Sequence, residues 1–241
     1  MLEYKEANEI AKNIDGWVNE AEGEYLFETS RNCEGNGIIL EIGSWKGKST
    51  IYLGKGSQSG NKVKIYAVDP HTGSSEHIEE YGEVNTFDEF KKNIESAGLN
   101  NIITPVVKTS YDAFNMFDEP VEFVFIDGAH EYEQVKLDFE LWFPRLIEGG
   151  KIAFHDSIGS YEGPRKVVKE YIYNSRNFKD VGFISSITFG TKVKENSLND
   201  RIRNRIVHFF SKIMGLTYAI RADKLPKPLK TIGFKILKFM Q

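Results

Sequence analysis

With Cys33 as its only cysteine, the chain has no disulfide framework and no cysteine-based zinc site, a pattern that suits a reducing cytoplasm. It lacks any run of about 18 apolar residues, the length that spans a bilayer. The opening residues, MLEYKEANEIAKN, are charged and have no apolar core, so no secretory leader is expected. Internal repeats and low-complexity tracts are missing too. The expectation is a soluble, cytoplasmic protein whose 241 residues fit one α/β domain with an appendage better than two full domains.

The net charge of −4 hides an asymmetry. Residues 197–241 hold ten Lys/Arg against two Asp/Glu, a charge of +8, which leaves −12 on the remainder. An acidic body makes nucleic acid an unattractive partner, and no D/N-P-P-Y-like stretch follows the fourth strand. The basic tail, by contrast, signals a partner of its own.

Short, branched, apolar runs at 38–40, 63–68, 102–107, 121–126 and 152–154 alternate with helical segments, which describes a parallel sheet buried on both faces. The first thirty residues read as helical, with Ile10, Ile14, Trp17 and Val18 at helical spacing. Thr86 and Glu89 form a capping box for a helix that Gly98 stops. Residues 132–146 read as an amphipathic helix that Pro144 ends early, and Gly163-Pro164 opens another. Residues 179–194 alternate and read as an antiparallel pair closing the sheet. The predicted fold class is a doubly wound α/β sheet, mostly parallel with an antiparallel last strand. Its predicted divisions are an N-terminal helical segment over 1–35, the sheet domain over 36–196 and a basic amphipathic helical tail over 197–241.

The turn after the first strand reads EIGSWKGKST, close to a phosphate-binding loop. A P-loop needs its first glycine at position 42, where Ile stands, and Glu41 would repel a triphosphate. A dinucleotide turn needs a second small glycine where this chain has Trp45. Gly43 and Gly47 let backbone approach a ligand, Ser44 and Trp45 lie between them, and Ser49 and Thr50 can cap the helix or contact the ligand. Asp69 ends the second strand 22 positions after Gly47, where a ribose is gripped through its hydroxyls. The plain alternative is that the two glycines only permit a tight turn.

Polar groups recur at later strand ends. Asp127 ends the fourth strand and His155 and Asp156 the fifth. Two carboxylates and a histidine suit Mg²⁺ or a similar divalent ion, which lowers the pKa of a substrate hydroxyl. His130 is the candidate general base, with an exposed position in the next helix's first turn as its alternative. His155 is read either as a ligand or as a packing partner of Asp156, and Asp138 as a charge on a solvated helix face.

The runs GWVNEAEGEYLFE, ILEIGSWKGKSTIYLGKGS, YAVDPHTG, FIDGAHEYEQVKLDF and GGKIAFHDS, over about residues 16–157, resemble class I S-adenosylmethionine-dependent methyltransferases. They are most similar to a branch holding metal-dependent O-methyltransferases of sugars and natural products, together with cephalosporin-hydroxylase-like proteins. The resemblance implies that Glu41, Gly43 and Gly47 surround the methionine part of S-adenosylmethionine, beside Ser44, Trp45, Ser49, Thr50 and Asp127. Asp69 would hold its ribose, and Ser110 and Tyr111 would flank the adenine. Several relatives hold a metal with two adjacent acids at strand five, where this chain has His155 and Asp156.

The function so implied is O-methylation of a sugar or small metabolite. The alternatives are other chemistry on the same fold, hydroxylase-like, or a non-catalytic module acting through the basic tail. Acceptor contacts are expected from residues 71–85, 158–163 and the N-terminal helix. Two readings stand for the tail. Ile202, Ile206, Phe209, Phe210 and Ile213 form a stripe that packs on the body or on a second subunit of a homo-oligomer, or that lies on the inner membrane face. A second such helix is read over residues 229–240.

Overall fold

The computed structural model describes residues 2–74, 78–79 and 82–219. The helix expected over 229–240 therefore lies outside the described residues. Seven strands form one sheet in the order β3-β2-β1-β4-β5-β7-β6. They are β1 (Ile38–Ile42), β2 (Ile65–Val68), β3 (Ile103–Val106), β4 (Val121–Ile126), β5 (Leu146–Phe154), β6 (Phe178–Ile184) and β7 (Ile187–Lys192). The first five run parallel, and β7 is antiparallel to both β5 and β6. All five residues of β1 and all six of β4 are buried, as a sheet covered on both faces requires.

Alternation along the strands divides two cores. Ile39, Phe123, Phe125 and Ala153 point to one face, packed by α1 (Leu2–Ala11), α2 (Glu20–Arg31) and α3 (Lys48–Ser59). Leu40, Val124, Ile126, Ile152 and Phe154 point to the other. There α6 (Tyr132–Trp142), following α4 (Phe87–Ser96) and the single turn α5 (Ser110–Ala113), contributes Val135, Phe139 and Trp142. α7 (Glu162–Val167) runs into a π-helical turn at Val168–Tyr173, and α8 (Leu198–Ala219) follows the sheet. Because the chain leaves β3 for β4 on the far side of β1, the β1 and β4 carboxyl ends flank a topological switch point, where such sheets bind ligands.

Several local expectations hold. Gly98 takes a left-handed φ of 69°, and Leu99 N–H donates to Ile94 O while Gly98 N–H donates to Glu95 O, a Schellman stop. α6 ends at Trp142, two residues before Pro144, and Pro164 lies in the first turn of α7.

Others are corrected. The first thirty residues form two helices, because Asn19 caps α2: its side chain accepts from Ala21 and Glu22 N–H while Glu22 accepts from Asn19 N–H. Trp17 is then an exposed loop residue. Thr86 makes no capping bond, since its hydroxyl lies 2.9 Å from His71 Nδ1. β5 begins at Leu146, earlier than its apolar run, through a register shift against β4 that takes up Gly149 and Gly150. The stripe on α8 does not pack on the body, which the helix meets through its opposite side.

Close packing of α2 on α3 depends on Gly56, where a Cβ would lie 2.2 Å from the Phe27 carbonyl oxygen. That neighbour is backbone and cannot swing aside. Gly56→Ala should lower stability by roughly 1–3 kcal/mol, read as a reduced urea midpoint, and an unchanged midpoint would refute this packing.

Candidate active site

The turn between β1 and α3 is built around Gly43, with a φ of 86° and a would-be Cβ only 2.1 Å from Asp127 O. No other residue type allows the ends of β1 and β4 to come so close. Gly47 and Trp45 also have positive φ, at 94° and 47°. Three amides of this turn are already engaged. Ser44 and Trp45 N–H both donate to Asp69 Oδ2, at 2.7 and 2.8 Å, and Gly47 N–H donates to Ser44 O. Asp69 Oδ1 accepts from His71 N–H at 2.6 Å. Asp69 thus takes two amides that a phosphate loop would leave open, which adds to the spacing and to Glu41 as an argument against the P-loop alternative.

Glu41 is fully buried beneath the turn, where its Oε2 accepts from the Thr50 hydroxyl at 2.6 Å. Burial raises its carboxyl to about 7, against the pull of the Ser49, Thr50 and Ser44 hydroxyls. Its Oε1 and the buried Ser44 Oγ have no hydrogen-bond partner among the described residues. Buried polar atoms left open in this way fit a ligand that brings donors and acceptors.

The turn opens into a cavity of about 750 Å³. Gly43, Ser44, Trp45, Ser49, Asp69, Ser110, Asp127, His130, His155 and Asp156 line it, so ten of the proposed residues converge. Four do not. Glu41, Gly47 and Thr50 support the turn from behind, and Tyr111 points outward and is 61% exposed. Acceptor-side walls come from Trp17, whose ring lies 5.5 Å from that of Trp45, and from Ile158 and Tyr161.

At the far corner, His155 Nδ1 lies 3.0 Å from Asp127 Oδ1 and 3.1 Å from Asp156 Oδ2, while its Nε2 lies 3.4 Å from Glu22 Oε2. Burial opposes a charged imidazole, but Asp127, Asp156 and Glu22 prevail and hold His155 well above its ordinary value. Asp156 is likewise kept below the carboxylate range, because His130 and His155 outweigh burial. Its φ of 50° is left-handed, a strained conformation for a non-glycine residue that aims its carboxylate into the corner. His130 Nε2 lies 3.3 Å from Asp156 Oδ2, and its ring stacks on Tyr161 at 3.7 Å. The histidine is thus drawn into the site.

Two residues escaped the sequence reading. Glu22 is 1% exposed, and its Oε1 accepts from both the N–H and the hydroxyl of Ser186 in the β6–β7 turn. The signal was available, since Asn19 and Glu22 have capping-box spacing. Asp138 is buried at the cavity wall and is not on a solvated face. Burial raises it to about 7, partly offset by Ser110.

Asp127, His155 and Asp156 can each offer one ligand atom, all within 4.8 Å of one another. A histidine whose remote nitrogen faces a buried carboxylate, with Nδ1 turned to two more, is the usual arrangement of a metal-binding imidazole. The donor set fits a divalent ion that accepts nitrogen as well as oxygen.

Residues 40–157 match the family model described as a methyltransferase domain. The protein y4gI of Sinorhizobium fredii is 28% identical over 120 residues, which cover 49% of this chain and only 13% of that protein. Among solved structures, the O-methyltransferase NovP aligns with a TM-score of 0.62 at 15% identity, over 71% of this chain and 79% of its own. An O-methyltransferase from Bacillus cereus, solved with SAH, gives 0.55 at 19% identity, over 80% and 91%. The fold is that of the class I S-adenosylmethionine-dependent O-methyltransferases, as the motifs implied.

Asp138 provides a test of the site's electrostatics. Its folded-state pKa is raised from 3.8 to about 7, so the folded chain binds the extra proton, and its contribution to stability is lost as pH rises through that window. Asp138→Asn should flatten the fall in melting temperature across that window and melt higher than wild type above it. Parallel pH profiles would exclude a buried, protonated Asp138.

Proposed function

We propose that this protein transfers the methyl group of S-adenosylmethionine to a hydroxyl oxygen of a sugar or small metabolite. The observation that carries the reading is the convergence of Asp69, Asp127, His130 and Asp156 on one cavity at the switch point of a methyltransferase fold. Asp69 Oδ1 keeps a second lone pair beyond the one that His71 N–H uses, which suits a ribose hydroxyl. The open Ser44 Oγ, which lines the cavity, suits the polar end of the methionine part, while Glu41 supports the turn beneath it. An acidic wall of this kind also favours a sulfonium cation over a phosphate.

On the acceptor side, the aromatic surfaces of Trp17 and Tyr161 suit the apolar face of a sugar ring or another small cyclic body. A hydroxyl reaching the corner meets His130 paired with Asp156, a couple able to take its proton as the oxygen attacks the methyl carbon. Glu22 orients His155, so that Nδ1 always faces Asp127 and Asp156. A divalent ion held by Asp127, His155 and Asp156 would supply Lewis acidity to the same hydroxyl.

Titration calorimetry with S-adenosylmethionine should give a saturable heat that Asp69→Ala weakens at least about tenfold, the value of one lost charged hydrogen bond. His130→Gln should leave that affinity nearly unchanged. Across a panel of sugar and small-molecule acceptors it should cut release of S-adenosylhomocysteine by about 10²–10⁴-fold, the range of a lost general base. No binding at millimolar cofactor would overturn the reading. Mn²⁺ added to chelator-treated protein should raise the melting temperature of wild type, and not that of Asp127→Asn. Equal shifts in the two would reject the ion site.

A further inference from the structure

Helix α8 is amphipathic, yet it is mounted with its apolar side outward. Leu198, Ile202, Ile206, Phe209 and Ile213 recur every three or four residues on one face, and are 63%, 50%, 49%, 61% and 41% exposed. Half a turn away, Asn204, Val207 and Ser211 are buried. Asn204 Nδ2–H donates to Phe178 O at 3.0 Å, and the neighbouring His208 stacks on Tyr173 at 4.7 Å. The helix is thus fixed to β6 and the π-helical turn by the side that carries Asn204, Val207 and Ser211, and among the described residues its stripe stays exposed.

Charge indicates what the stripe meets. Arg201, Arg205 and Lys212 run along one border of it, and Asp200 is the only acid between residues 198 and 219. Beside Lys212 lies a groove of about 590 Å³, lined by Arg165, Lys166 and Lys169 together with Glu162 and Glu170. His208 is depressed to about 4, first by burial and then by the charges of Lys212 and Lys169. Residues 220–241 add six Lys/Arg and one Asp, so folding that segment onto α8 would bring like charges together. A second copy of α8 would do the same. An anionic surface removes this repulsion.

We propose that α8 docks the protein on an anionic membrane, with the Leu198–Ile213 stripe immersed at the headgroup boundary and Arg201, Arg205 and Lys212 among the lipid phosphates. No described helix is long and apolar enough to cross a bilayer, so the attachment is to one leaflet. The proposal does not depend on methyl transfer, since neither the stripe nor its cations line the cavity between β1 and β4.

The test is co-sedimentation of the full chain with phosphatidylcholine vesicles, and with vesicles that also contain phosphatidylglycerol. Wild type should pellet with the second kind only, and should be released by high salt. Both Ile206→Glu/Phe209→Glu and Arg205→Glu/Lys212→Glu should bind at least about tenfold more weakly, because one set loses the immersed area and the other the attraction. These positions are exposed, so melting temperatures and S-adenosylmethionine affinity should match wild type, which confirms folded protein. Equal pelleting of wild type and variants would assign binding to another surface, and no pelleting would dismiss a membrane; either overturns the proposal. A wild-type dimer in sedimentation equilibrium that Ile206→Glu/Phe209→Glu converts to monomer, without vesicle binding, would show that a second copy covers the stripe and would equally overturn it.

Discussion

One imidazole within reach of three carboxylates holds the site together. Glu22, Asp127 and Asp156 meet at a corner where solvent is largely excluded, and like charges there repel strongly. His155 reconciles them. Positive charge at Nδ1, carried by a proton or by an ion in its place, lets the two aspartates lie side by side, while Nε2 takes up the charge of Glu22. Through those contacts one ring joins α2, the end of β4, the end of β5 and, by way of Ser186, the β6–β7 turn. The position of His130 follows from the same knot, because its partner is Asp156.

Much of the architecture was legible because burial on both faces writes a strand as an unbroken apolar run. β1 and β4 come close to this, each broken only by one buried glutamate, Glu41 or Glu122, and the acids that follow β2, β4 and β5 announced the cavity. Punctuation was legible where a residue acts alone, as Gly98 and Pro144 do. It misled where a side chain had a competing partner, as Thr86 has in His71. Glu22 was hidden for a different reason. It lies 133 positions from His155, and only the packing of α2 beneath the sheet's carboxyl edge brings the two together. Asp138 was misread because helical periodicity counts polar faces and does not see a polar cavity on the inner side. The tail shows the same blindness in reverse. Four of the five residues expected in its stripe share the exposed face, Phe210 being only partly exposed, but periodicity identifies a face without saying which way it points.

The opening turn shows how one carboxylate changes the ligand that a loop accepts. Free amides at a strand-to-helix turn attract anions. Here Asp69 collects the amides of Ser44 and Trp45 before any ligand arrives, which turns an anion-seeking nest into a rim with negative character. Spacing that nearly matches a P-loop therefore ends in a turn whose first two amides are bound to a carboxylate, the acid 25 residues beyond Ser44.

The double attachment of Glu22 bears on where this protein can be cut. Its Oε2 faces both the Asn19 amide that begins α2 and the His155 imidazole at the carboxylate corner. A recombinant fragment trimmed to residues 40–157 would keep the stretch that matches the methyltransferase-domain model. It would nonetheless strand His155 beside a vacancy, having discarded Glu22 at one end and Ser186 at the other. Modularity, in this chain, ends short of the chemistry.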